Sequence, residues 1–177
     1  MVVRTRLVTA PSVEPVSVAE AKEQSLVEHA EHDGMFERLI AAARQEAEQR
    51  TGRALITQAW QQRQPADGNT VCLRRWPLLA VTSVSDDQGT LDPTDYRVEI
   101  GDFPAVIANR SLTGTVTVAF TAGYGEAAAD VPSAIRQWIL VTVASLYEHR
   151  EKAVTGTITS EHRFIDGLLD HYVVTPT

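Results

Sequence analysis

Cysteine is almost missing from this chain: its 177 residues include one, Cys72. A lone thiol closes no disulfide within the chain, so packing and hydrogen bonds must hold the fold, as suits a protein made in a reducing cytoplasm. Long apolar runs are missing as well. No stretch of about 18 apolar residues is present to cross a bilayer, and no basic-then-apolar segment opens the chain as a secretion signal would. Both absences predict a soluble protein. Basic residues are scarce, 16 Lys and Arg against 23 Asp and Glu, a net charge of -7. A surface that grips nucleic acid by neutralising phosphates is therefore not expected overall.

Signatures of chemistry are thin too. His29 and His32, among Glu28, Glu31 and Asp33, come nearest to a metal cluster but read as a solvated turn between helices. Cys72 lies in a strand beside Arg74 and Arg75 with no histidine close in sequence to act as base, and reads as a small buried thiol. Residues 86–92 lack the spacing and later glutamate of a calcium loop and read as a hairpin turn. Gly123-Tyr-Gly125 has neither the third glycine nor the lysine of a phosphate cradle, and no serine sits in a Gly-x-Ser-x-Gly turn. Arg74-Arg75-Trp76 has the makings of a base-stacking or interface anchor, but an aromatic closing a core at a strand end explains it more simply. No catalytic, cofactor-binding or metal-ligating residue emerges, and no cofactor is expected.

What is present is a chain long enough to bury roughly 70% of its unfolded surface in one domain. Its most telling stretch is 131–151, a helix bounded by Pro132 and by Glu148, His149 and Arg150, in which Thr142 and Ser145 are the polar residues between Trp138 and Leu146. A helix apolar all round is buried all round, by its own chain or by a neighbouring subunit. Upstream, residues 1–16 hold Pro11 and Pro15 and read as an extended arm able to lie on a neighbour. Ser17-Val-Ala-Glu20 is a capping box opening a helix to about Val27, and 33–51 form a second helix with Gly52 as its cap. The period then changes to two: a strand over 55–64 with 70–74 as its hairpin partner, then strands over 79–85, 96–100 and 115–121. This order predicts an α+β fold, a mainly helical core with an antiparallel strand-rich insert over 53–122, before the long helix near 132–150. After an uncharged Gly/Thr-rich segment, Phe164, Ile165, Leu168, Leu169 and Tyr172 form a short helical stripe that Gly167 weakens, a switch segment that orders when it finds a surface.

Several pieces, taken in order, resemble one family. They are Val16-Ser-Val-Ala-Glu-Ala-Lys22, Ile40 to Gly52, Arg75-Trp-Pro-Leu-Leu-Ala-Val-Thr-Ser-Val84, Asp95-Tyr-Arg-Val98, Val116-Thr-Val-Ala-Phe-Thr-Ala-Gly-Tyr-Gly125, Val131-Pro and Leu146-Tyr-Glu-His-Arg-Glu151. Together they span nearly the whole chain and are similar to the head-to-tail connector, or adaptor, family of long-tailed bacteriophages and gene transfer particles. That resemblance implies a virion neck protein without catalytic residues, assembled in the host bacterial cytoplasm. Its ring, of twelve subunits, would sit beneath the portal and pass DNA through the lumen without specific binding, with no membrane involved. The implied partners are other copies of the chain, the portal protein and the next neck or tail protein, a stopper or tail terminator. It also implies a C-terminal segment, 153–177, that docks on the portal through Phe164, Ile165, Leu168, Leu169 and Tyr172. The family's Leu-Leu-x-x-Tyr ending carries an arginine where this chain reads Leu168-Leu-Asp-His-Tyr172. Trp138, Val141 and Tyr147 are the expected subunit contacts on the long helix. From other classes, the alternatives are a small cytosolic α+β enzyme with Arg74, Arg75 and Asp95 lining a pocket between sheet and helix, and a DNA-binding neck factor, against which the acidic balance argues.

Overall fold

The computed structural model describes residues 2–101, 103–148, 165 and 167–174. Among these, three helices pack beside two antiparallel sheets, so the class is α+β. The first helix, α1 (Val18–Gln24), starts on the expected capping box. The Ser17 hydroxyl accepts from the Glu20 amide at 3.2 Å, and the Ser17 amide donates to the Glu20 carboxylate at 2.7 Å. Helix α2 (Asp33–Thr51) has the predicted bounds and ends on Gly52 at φ 74, where a left-handed residue costs glycine nothing. Its stripe of Phe36, Ile40, Ala43 and Ala47 is buried. Helix α3 (Ser133–Glu148) buries Ile135, Trp138, Ile139 and Val143 against that stripe, but Leu146 stays 42% exposed and Val141 is half-buried. Among the described residues, the over-apolar helix is therefore covered mainly along one side.

The strands are β1 (Arg4–Thr9), β2 (Gln58–Pro65), β3 (Thr70–Cys72), β4 (Leu78–Asp86), β5 (Gly89–Thr90), β6 (Tyr96–Glu99), β7 (Ala105–Ala108) and β8 (Thr115–Ala122). One sheet runs β1-β2-β8-β4-β5 and the other β3-β7-β6. Val116, Val118, Phe120 and Ala122 of the central β8 point toward Val71, Leu73, Val106 and Ala108, forming a second apolar core. The strand region is thus a layer with its own interior rather than an insert upon a mainly helical core.

Three local expectations change. Within the predicted arm, Arg4–Thr9 does not extend away from the subunit: β1 pairs with β2 and completes its own sheet. The predicted hairpin between 55–64 and 70–74 does not form, because both edges of β2 are taken by β1 and β8, and β3 pairs with β7. The link between β2 and the segment after it is made by a side chain. The buried Gln62 donates from Nε2 to the Cys72 carbonyl at 2.7 Å and accepts from the Arg74 amide at 2.9 Å. Cys72 is exposed rather than buried, since Val71 takes the inward position of a period-two strand.

Helical and strand layers meet at Glu48. Its side chain, 12% exposed, accepts from the Leu55 amide at 3.0 Å and from the Gln58 amide group, and pairs with Arg44 at 3.0 Å. Arg44, 8% exposed, also pairs with Glu14 at 2.7 Å, tying in the segment before α1. Beside this junction Gly123, at φ 150, crosses so close that a Cβ would stand 2.6 Å from the Thr57 backbone nitrogen. Gly125 accepts from the Thr57 amide at 2.9 Å, so the glycine pair serves a chain crossing and not a phosphate.

The turn over residues 86–89 forms as expected and is locked by Asp86. Its carboxylate accepts from Arg110 at 2.7 and 3.1 Å, from the Thr113 amide and hydroxyl, and from the Gln88 amide. The Arg110 guanidinium, followed by the amide donors, holds this carboxyl well below the usual carboxylate range.

Two outcomes follow. Glu48→Ala leaves the Leu55 amide and the buried Gln58 side chain without their acceptor and Arg44 with Glu14 as its remaining ion-pair partner among the described residues, and is expected to cost about 3 kcal/mol in urea unfolding with an unchanged m value. Because the folded Asp86 carboxyl titrates below its unfolded value, its stabilisation is complete above about pH 4 and declines as the pH falls further. Asp86→Asn should therefore be less stable than the parent at pH 7, with the gap narrowing in acid, as read by thermal melts from pH 7 to pH 2.

Candidate docking surfaces

The residues expected to dock occupy two places on the helical layer. Val141 lines a shallow groove between α2 and α3, about 410 Å³, with Ala42, Glu46, Thr142, Leu146 and Ile165 among its walls. Trp138 forms the floor of that groove and is 2% exposed, its ring lying 5.3 Å from the Arg50 guanidinium carbon. Tyr147 lies on the α1–α2 side of α3. Its ring stacks on Phe36 with centroids 4.7 Å apart, and its hydroxyl meets His32 Nδ1 at 2.6 Å. Of the three expected subunit contacts, Val141 lines the groove, Tyr147 is half-buried beside Phe36, and Trp138 supports the groove from beneath.

His32 is thus engaged by Tyr147 and stands edge-on to His29, and among the described residues no cluster of His, Cys, Asp or Glu could hold a metal. Arg75 lies over the Trp60 ring at 4.7 Å, and burial lowers its pKa from the ordinary guanidinium value. Trp76 is 6% exposed and packs beside Gly52, so the Arg74-Arg75-Trp76 run closes a core at a strand end. Asp95 sits in the turn leading into β6.

The second place is the C-terminal turn. Phe164 lies outside the described residues. Leu169 is 2% exposed and belongs to the helical core, and Ile165, Leu168 and Tyr172 pack half-buried against it. Two hydrogen bonds strap this turn to the end of α2: the Arg53 side chain donates from Nε to the Tyr172 carbonyl at 2.8 Å and the Val174 amide donates to the Thr51 carbonyl at 3.0 Å. Arg53 also lies 6.0 Å from the Tyr124 ring, whose hydroxyl is pushed above the usual phenol range by burial. The sequence suggested a stripe waiting for a surface; residues 167–174 instead find one on their own subunit. The signal for this was Leu169, whose partner, the end of α2, lies over 100 residues away and leaves no local mark.

No protein-family profile matches the chain, and no curated protein matches it either. Solved structures do. The fold is that of chains found in the neck of gene transfer agent (GTA) particles. A chain from the neck of an empty GTA particle, computed with C6 symmetry, superposes with a TM-score of 0.81 at 22% identity, covering 98% of this chain and 97% of that one. One from the virion of a native GTA particle gives 0.79 at 21% identity, over 98% and 96%. A third, from the neck of a native GTA particle computed with C12 symmetry, gives 0.71 at 22% identity, over 98% and 97%.

Truncating the strap's anchor tests how firmly the tail is held. Leu169→Ala should cost about 2–4 kcal/mol, as large-to-small changes in a packed core do, and should speed hydrogen exchange at the Tyr172 and Val174 amides.

Proposed function

We propose that this chain is a structural head-to-tail adaptor in the neck of a tailed phage or gene transfer particle. The observation that carries the reading is a superposition over 98% of the chain on neck chains computed with C6 and C12 symmetry. A ring subunit needs apolar surface that folding alone does not cover, and the Val141–Leu146 side of α3 supplies it. In this reading twelve copies form a ring beneath the portal. Val141 and Tyr147 lie at subunit contacts, Trp138 supports the groove that Val141 lines, and the C-terminal turn engages the portal through Ile165, Leu168 and Tyr172. For the buried Leu169 to take part, the strap on Thr51 and Arg53 has to release, so portal binding competes with packing on the subunit itself; Phe164, outside the described residues, joins the docking set from the sequence. The far side of the ring meets a stopper or tail terminator, and DNA passes through the lumen without sequence readout, as an acidic chain permits. Assembly takes place in the bacterial cytoplasm.

Negative-stain imaging of the purified protein, alone and mixed with portal rings, tests this reading. The expected outcome is a ring stacked on the portal, with Val141→Asp preventing the ring while the subunit still melts cooperatively. A chain that stays single in the presence of portal rings removes the adaptor assignment.

A further inference from the structure

The outer face of the five-stranded sheet has no part in the contacts above, and it carries a concentration of positive charge. Across β1 and β2, Arg4 stands opposite Arg63, and Arg6 opposite Gln61. Trp60 and Gln62 point inward, so Arg4, Arg6 and Arg63 share the outward side, and all three are exposed. Like charges set directly opposite on one face of a sheet repel. Among the described residues none of the three has an ion-pair partner, in a chain whose net charge is -7. The neighbouring positions on that side, Gln61, Thr117 and Ala119, carry no charge.

A complementary feature lies in the helical layer, at the end of α1. Helix α1 closes with the Val27 amide on the Lys22 carbonyl at 2.9 Å and the Leu26 amide on the Glu23 carbonyl at 3.2 Å. This pattern places Leu26 at the left-handed position that glycine normally fills, at φ 53. A bulky residue is strained there, and this one is 92% exposed. Such strain gains the isolated subunit nothing. Glu23 and Glu28 flank Leu26, both exposed and without an ion-pair partner among the described residues, whereas Lys22 is engaged by Asp33.

We propose that in the ring the Leu26 turn of one copy docks on the arginine face of the next. Leu26 lies against the uncharged positions around Ala119, and Glu23 and Glu28 face Arg6 and Arg63. The inference rests on the neck-ring reading and adds which surfaces join the copies. The two patches belong to different layers, the Leu26 turn following α1 and the arginines standing on β1 and β2. Different patches meeting head to tail generate a ring where the rotation between copies closes, whereas one self-complementary patch gives a pair. A second copy suits the face better than nucleic acid, because the same chain presents both the matching carboxylates and the exposed leucine.

The test uses full-length protein in a Cys72→Ser background. One population carries Leu26→Cys and another Gln61→Cys; they are mixed and oxidised, and disulfide-linked pairs are counted on a non-reducing gel. Mixed pairs should exceed either like pair by at least about tenfold. They should collapse when the Gln61→Cys population also carries Arg6→Glu and Arg63→Glu, and return when its partner carries Glu23→Arg and Glu28→Arg. Like pairs in equal yield, or a yield indifferent to charge reversal, would overturn the contact. So would duplex DNA binding that Arg6→Glu and Arg63→Glu abolish, since that assigns the face to nucleic acid. Rings visible by negative stain without the Leu26–Gln61 link remove this contact and leave the neck reading standing. Absence of both the link and any ring on the portal removes both.

Discussion

The subunit depends on one buried carboxylate that holds two layers in a fixed relation. Glu48 sits near the end of α2, where its oxygens take the Leu55 amide, the Gln58 side chain and the Arg44 guanidinium. With the Thr57–Gly125 bond, it fixes the first residues after the helix as they turn into β2. Arg44 passes the constraint on to Glu14, and the Gly123 crossing leaves no room for the layers to slide. A charge at such a site is costly to bury and costlier to leave unpaired, so the junction acts as a register pin more than as a source of stability.

That pin decides where the functional surfaces lie. The helical layer covers one side of α3 and leaves Val141 and Leu146 at a groove, while the C-terminal turn is strapped across the end of α2. The strand layer turns its apolar side inward and its arginines outward. The proposed ring role would require different surfaces for different neighbours, and a two-layer body with distinct chemistry on each side meets that requirement.

Signals confined to a few residues were legible. The Ser17–Glu20 box, the Gly52 cap, the turn at 86–89 and the alternation of β8 all appear where the residues imply, because each is set by bonds between near neighbours. Pairing between distant segments was not. Thr70 to Cys72 has the composition of a hairpin partner for β2, yet both edges of β2 were already occupied, a fact held in the residues of β1 and β8. The inward glutamines of β2 were the available clue, since Gln58 and Gln62 bring polar groups into an interior where each must find a partner from another element. The residues proposed to dock were legible as apolar stripes. Which of them face outward was not.

Composition and pattern by themselves determined the class, the helices and their caps, the strand-rich middle and the surplus of apolar side chains on the last long helix. These follow from local hydrogen bonding and from hydrophobic period, which act over one or two turns of chain. Tertiary structure alone decided that Trp138 and Leu169 close the subunit's own core, that Cys72 faces water, and that Arg4, Arg6 and Arg63 stand together on one face. Burial and proximity are properties of pairs of segments far apart in sequence, and packing selects among the many pairings that local pattern permits.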